Sequence, residues 1–157
     1  MLIWRRLNAL VMNNHLTELF ERDLLKLRDE LNNFKNEENL WRKADGITNT
    51  AGNLALHLIG NLNYHVGSQL GNTGYIRNRE QEFNATGVAR EKIITDIENL
   101  IEVLKNTIPA LTPQQLDTTY PLEFYGRKST EFYLLHFYGH LNYHLGQMNY
   151  LRRILEA

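Results

Sequence analysis

Two stretches of this chain repeat one another, and the repeat limits what the chain can fold into. Residues 56–67 (Leu-His-Leu-Ile-Gly-Asn-Leu-Asn-Tyr-His-Val-Gly) align without a gap on residues 135–146 (Leu-His-Phe-Tyr-Gly-His-Leu-Asn-Tyr-His-Leu-Gly), with eight of twelve positions identical. Five of the six histidines fall inside these blocks, at His57, His65, His136, His140 and His144. Apolar residues recurring around histidines four apart predict buried helices rather than strands. Positions four apart on a helix advance by about 40° and rise about 6 Å. His140 can therefore share one metal ion with His136 or with His144, as a His-x-x-x-His pair does. All three cannot, because His136 and His144 lie roughly 12 Å apart along the axis. A further ligand must come from elsewhere, and the repeat points to the first block, where His57, Asn61 and His65 share one row.

The remaining pattern predicts an all-α chain. Leu16, Leu19, Phe20, Leu24, Leu27 and Leu31 mark one face of a helix over residues 14–34. A polar connector carrying Trp41 and Gly46 leads to Thr48-Asn49-Thr50, residues suited to capping a second helix over 51–70. Residues 75–85 are charged and without period, and read as a long surface connection. A third helix begins at Thr86, carries Ile94, Ile97, Leu100, Ile101, Leu104 and Ile108, and stops at Pro109. A one-turn helix through Leu116 and a hairpin-like excursion over 118–128 follow. Ser129 or Thr130 then caps a last helix reaching Leu155. Four helices of about twenty residues, with no sheet, pack as a bundle.

Length and charge bound the partners. A chain of 157 residues is read as one domain, and a net charge of −1 without a basic cluster argues against a nucleic-acid partner. No stretch reaches the roughly 20 apolar residues of a spanning helix. Residues 1–14 lack a signal-like h-region and are expected to be a tail or a short helical extension. With no cysteine, a transition metal here can be held only by imidazole, carboxylate, amide or water. The missing cysteine also fits a cytoplasmic location.

Two readings of the histidines compete. Each buried imidazole has a donor and an acceptor to satisfy, and an unpaired one costs about 1–3 kcal/mol. A metal-free hydrogen-bonded layer could meet that need; a divalent metal satisfies three lone pairs together, and open three-histidine sites suit zinc, nickel or iron. Tyr64 and Tyr143 are candidate proton donors. Tyr143, Asn142 and Gln147 are candidate orienting partners for an imidazole. Gly60, Gly139 and Gly146 weaken their helices and imply close approach or room for a ligand. No general base stands out; Glu18 and Glu21 on the first helix are the carboxylates to place.

The block around His57 (Asn53-Leu54-Ala55-Leu56-His57-Leu58-Ile59-Gly60-Asn61-Leu62), followed by His140-Leu-Asn-Tyr-His144-Leu-Gly-Gln147 in the last helix, resembles the DinB/YfiT-like superfamily of metal-dependent enzymes. The resemblance implies a four-helix bundle of up-down-down-up topology with a long connection between helices two and three. It further implies a divalent metal, nickel or zinc, on His57, His140 and His144, and a small-molecule substrate, in some relatives a low-molecular-weight thiol. DNA binding is not implied. This chain departs from the family pattern in carrying His65 and His136. With helices two and four antiparallel, these and Asn61 form the two-fold equivalent of the triad, expected to be a polar layer or degenerate half-site. An open position on such a metal serves a hydrolase or a thiol S-transferase. The alternative is a non-catalytic metal-binding bundle, or one that dimerises through the Ile/Leu-rich third helix.

Overall fold

A computed structural model describes residues 2–157, with side chains from residue 7 onward except at residue 8. The chain is all-α, in the order α1 (Leu2–Asn32), a 3-10 turn (Glu37–Trp41), α2 (Ala51–Leu62), a π turn (Asn63–Ser68), α3 (Gln69–Gly71), α4 (Arg79–Asn84), α5 (Arg90–Thr107), α6 (Pro113–Asp117) and α7 (Thr130–Leu155). Among the described residues there are only isolated bridges, Thr119 to Ser129 and Phe124 to Gly126, and no strand. The excursion over 118–128 is thus hairpin-like without forming strands, closed where Tyr120 N donates to Lys128 O (3.0 Å) and Thr130 N to Thr118 O (2.9 Å). It is held to α7 by Tyr133, whose hydroxyl donates to Gly126 O (2.9 Å) and accepts from Tyr125 N (3.0 Å).

Four differences from the expected elements have local causes. α1 does not start at residue 14: neither glycine nor proline interrupts residues 2–32, so the helix runs back to Leu2. Its entry is pinned where buried Asn13 donates to Leu111 O at 2.9 Å. The second helix passes into a π turn at Asn63 instead of staying α to residue 70, and Asn72 ends it in the left-handed region at φ 51°. The third helix begins at Arg90 rather than Thr86, because Gly87 at φ +67° still belongs to the turn before it. The connection over 75–85 is not simply surface loop, because it contains α4 and buries Glu82.

Cross-helix pairs give the arrangement. Lys105 meets Glu21 (3.0 Å), Arg28 reaches Glu98 (3.9 Å) and Arg90 donates to Phe34 O (2.8 Å), so α1 and α5 run in opposite directions. Tyr138 bonds Asp23 and Arg152 bonds Glu30, each at 2.7 Å, so α1 and α7 run the same way. α2 lies opposite in direction to α7, with His57 beside His140 and His144, and His65 stacked on Phe137. The four long elements enclose one core, to which α1 contributes Phe20, Leu24 and Leu27, α2 Leu58 and Leu62, α5 Ile97 and Leu100, and α7 Phe137 and Leu141. The Ile/Leu face of α5 is thereby buried and not available as a dimer surface. Among the described residues no helix is long and apolar enough to cross a membrane.

Candidate metal centre

The structure brings His57 on α2 together with His140 and His144 on α7, with one ligand atom from each ring within 4.8 Å of the others. The distance from His140 Nε2 is 3.3 Å to His57 Nε2 and 3.0 Å to His144 Nε2. Two nitrogens bound at 2.0–2.1 Å in tetrahedral geometry stand roughly 3.4 Å apart, so the spacing is close to that of metal ligands. His136 stacks one turn away on α7, its ring centroid 6.4 Å from that of His140, and is not one of the three.

The far side of each ring decides which nitrogen faces inward. His57 Nδ1 lies 2.9 Å from Glu82 Oε2, and a carboxylate can only accept, so Nδ1–H donates, and in the neutral ring Nε2 keeps its lone pair. His144 Nδ1 likewise donates to Gln147 Oε1 at 2.7 Å. Two lone pairs therefore converge on His140 Nε2, which can donate to only one of them. His140 Nδ1 is buried without a partner. The donor set fits a cation: three imidazoles point the same nitrogen at one place, and two are oriented by outer partners as metal-binding histidines usually are.

The surroundings keep the two α7 rings neutral. Burial, then the neighbouring His144, His57, His136 and Arg77, pushes the His140 pKa down to about 3. Burial also lowers that of His144, against its hydrogen bond to Gln147 Oε1, which raises it. For Glu82, burial opposes ionisation, yet hydrogen bonds from Arg77 and His57 outweigh it and hold the carboxyl below its usual value. Arg77 grips that carboxylate with both Nε (2.7 Å) and Nη2 (2.8 Å).

Glu82 and Arg77 are the functional residues that sequence reasoning missed. Several devices bring Glu82 inward. Asn78 caps α4 by accepting from Gln81 N, and Asn53 of α2 donates to Glu82 O (3.1 Å) and Ala85 O (2.9 Å). Gly60 supplies the space: a Cβ there would lie 2.2 Å from Glu82 Oε1. Gly60 in an apolar helix row was the available signal, but it does not say which residue fills the gap.

The remaining candidates separate. His65 Nε2 sits 3.4 Å from Arg77 Nη1, while His65 Nδ1 faces Tyr120 OH at 3.1 Å, so both of its nitrogens are occupied. Burial, with Arg77 next, takes its pKa down to about 4. His65, His136 and Asn61 line a cleft of about 290 Å³ with His57, His140, Arg77, Arg79, Phe124, Tyr125 and Phe137. His65 and His136 join no metal-type cluster among the described residues. Asn61 Oδ1 is buried without a partner. Tyr64 packs its ring 5.0 Å from His65, and Tyr143 leans on His144 at 5.2 Å while facing solvent. Asn142 bonds back to Tyr138 O. Glu18 is exposed and Glu21 pairs with Lys105, so neither is part of the centre.

An all-α bundle with this helix order is the fold of DinB-like proteins. The crystal structure of a DinB-like protein from Bacillus cereus superposes with a TM-score of 0.60, covering 83% of this chain and 84% of that one at 19% identity. No curated protein matches the chain. The chain belongs to the family described as "Protein of unknown function (DUF1572)", which matches residues 12–157. The family and the fold together place it in the DinB-like superfamily.

Proposed function

We propose that this protein is a metal-dependent enzyme in which His57, His140 and His144 hold one divalent ion, nickel or zinc, beside a small-molecule cleft. The observation that carries the reading is the convergence of the three Nε2 atoms, two of them presented by Nδ1 hydrogen bonds to Glu82 and Gln147. When bound, the ion supplies Lewis acidity to a water or a thiol at an open position, the chemistry of a hydrolase or a thiol S-transferase.

The chain's own residues supply the rest. Arg77 and Glu82 fix the His57 ring, and Phe124, Tyr125 and Phe137 give the cleft apolar walls that restrict water. At about 290 Å³ the cleft lies near the lower end of ligand-pocket volumes, which favours a small substrate. Asn61 Oδ1, buried and unpartnered, is the acceptor available to a substrate donor. His136 lines the cleft and makes no hydrogen bond to the described residues, so it is the group best placed to move a proton. Burial lowers its pKa, which keeps it neutral and able to accept one.

The test is elemental analysis of untagged protein beside a His140→Ala variant, followed by assays for ester or amide hydrolysis and for thiol transfer. One equivalent of metal in the parent and none in the variant supports the centre. No metal in either rejects it. Metal retained without turnover of any substrate class would favour a non-catalytic metal-binding bundle.

A further inference from the structure

α7 has a second apolar face that the bundle does not use. Its inner side buries Tyr133, Leu134, Phe137, Leu141, Met148 and Leu151. On the outer side, Phe132, Leu135, Gly139, Tyr143, Gly146, Tyr150 and Ile154 recur at three- and four-residue spacing, which makes one stripe along a helix. The large members are open to solvent: Leu135 is 47% exposed, Tyr143 64%, Tyr150 68% and Ile154 57%. Gly139 and Gly146 lie on the same stripe, and a Cβ at either would meet nothing within 4 Å. Glycine weakens a helix interior relative to alanine, and nothing inside this chain requires it at either position.

We propose that α7 pairs antiparallel with α7 of a second copy of this chain, about a two-fold axis passing near Tyr143. The occupant follows from the stripe itself. A two-fold interface brings one patch against itself, so the patch must be its own complement. Reversed about the point midway between Asn142 and Tyr143, Gly139 falls opposite Gly146 and Leu135 opposite Tyr150, with Phe132 within one residue of Ile154. The paired glycines let the two backbones approach at the centre, and the large side chains pack outside them. The charges beside the ends also match, with Glu131 of one copy falling by Arg153 of the other. At the Tyr150–Ile154 end a recess of about 260 Å³, walled by Ile47, Leu54 and Leu151, opens beside the stripe. The reversed pairing brings the second copy's Phe132 to it. None of the three histidines lies on the stripe, although Tyr143 at its centre packs on the His144 ring, and the pairing is argued without the metal reading.

Sedimentation velocity on the full chain should give twice the 18.4 kDa chain mass. Gly139→Gln with Gly146→Gln should weaken the dimer by about tenfold or more while the monomer stays folded, since glutamine is the better helix former. Tyr150→Asp, at a solvent-exposed site, should do the same. The chain has no cysteine, so direction can be read cleanly. Leu135→Cys and Tyr150→Cys variants, mixed and oxidised, should cross-link to each other in preference to themselves. Three results would each overturn the proposal: a monomer at the highest soluble concentration, a dimer indifferent to both sets of substitutions, or a Leu135→Cys variant that cross-links preferentially to itself.

Discussion

Replacing Glu82 by glutamine keeps the side chain's shape and removes the charge that holds His57 and Arg77 together. Glu82 accepts from His57 Nδ1 at 2.9 Å and from Arg77 at 2.7 and 2.8 Å. Glutamine has a single carbonyl oxygen for these three donors and turns an NH₂ toward one of them. Two losses follow. Without its outer partner, His57 loses its fixed tautomer and orientation, which for metal-binding histidines lowers affinity about 10–100-fold, or roughly 1.4–2.7 kcal/mol. Arg77, 13% exposed, is left without a counter-ion. Breaking a buried pair costs about 3–5 kcal/mol, and because Arg77 borders the cleft and gains some hydration we expect roughly 2–3 kcal/mol. In the metal-free protein that is a fall in Tm of about 5–10 °C for a domain of this size. Competition with a chromophoric zinc chelator measures the first loss, and melting in excess chelator the second. Gly60→Ala is the companion: its Cβ would press on the same carboxylate, 2.2 Å from Oε1 and 2.8 Å from Cδ, with the charge retained. It should lower zinc affinity in the same direction. A folded Glu82→Gln protein that binds zinc within about twofold of the parent would refute the role given to Glu82.

Other outcomes follow from the same structure. His140 and His65, with pKa values pushed down to about 3 and about 4, bind fewer protons folded than unfolded below the ordinary histidine value near 6.5. The metal-free protein should therefore lose stability as pH falls from about 6.5 toward those values, and a Tm unchanged between about pH 6.5 and 4, the window these shifts define, would contradict it. Zinc titration should show one tight equivalent, kept in His65→Ala and His136→Ala; two tight equivalents requiring both residues would make the second set a metal site. Asp23 is buried and bonded to Arg22, Lys26 and Tyr138, which hold its carboxyl below the usual range against the opposing effect of burial. Asp23→Ala should cost about 1–3 kcal/mol by loosening α1 from α7, with zinc affinity unaltered, as melting and chelator competition would show.

Much of the centre was legible in one dimension because helical spacing is itself a distance. His140 and His144, four apart, had to stand one turn apart on one face, and the repeated block directed attention to α2 for the third imidazole. The first and third long helices were equally readable from their apolar periods, since α1 and α5 each bury the face their spacing marks. Residues 75–85 were not. With no periodicity, Glu82 looked like any charge on a surface connection, and its burial depends on Asn53 gripping α4 from another helix and on the missing Cβ of Gly60.

The choice among the histidines divides in the same way. Sequence spacing left His136 and His144 equally able to join His140, and only the family resemblance preferred His144. Tertiary structure separates them, because the crossing of α2 and α7 points the His57 ring at His140 and His144 and leaves His136 against Tyr125. Likewise Gly60, Gly139 and Gly146 are one residue type in one repeated frame, yet the first faces Glu82 and the other two face solvent. By itself the sequence determined the helices and which residues share a face, because local periodicity suffices for both. Which face meets which, and which carboxylate holds His57, was decided only by packing, because those contacts join residues far apart in the chain.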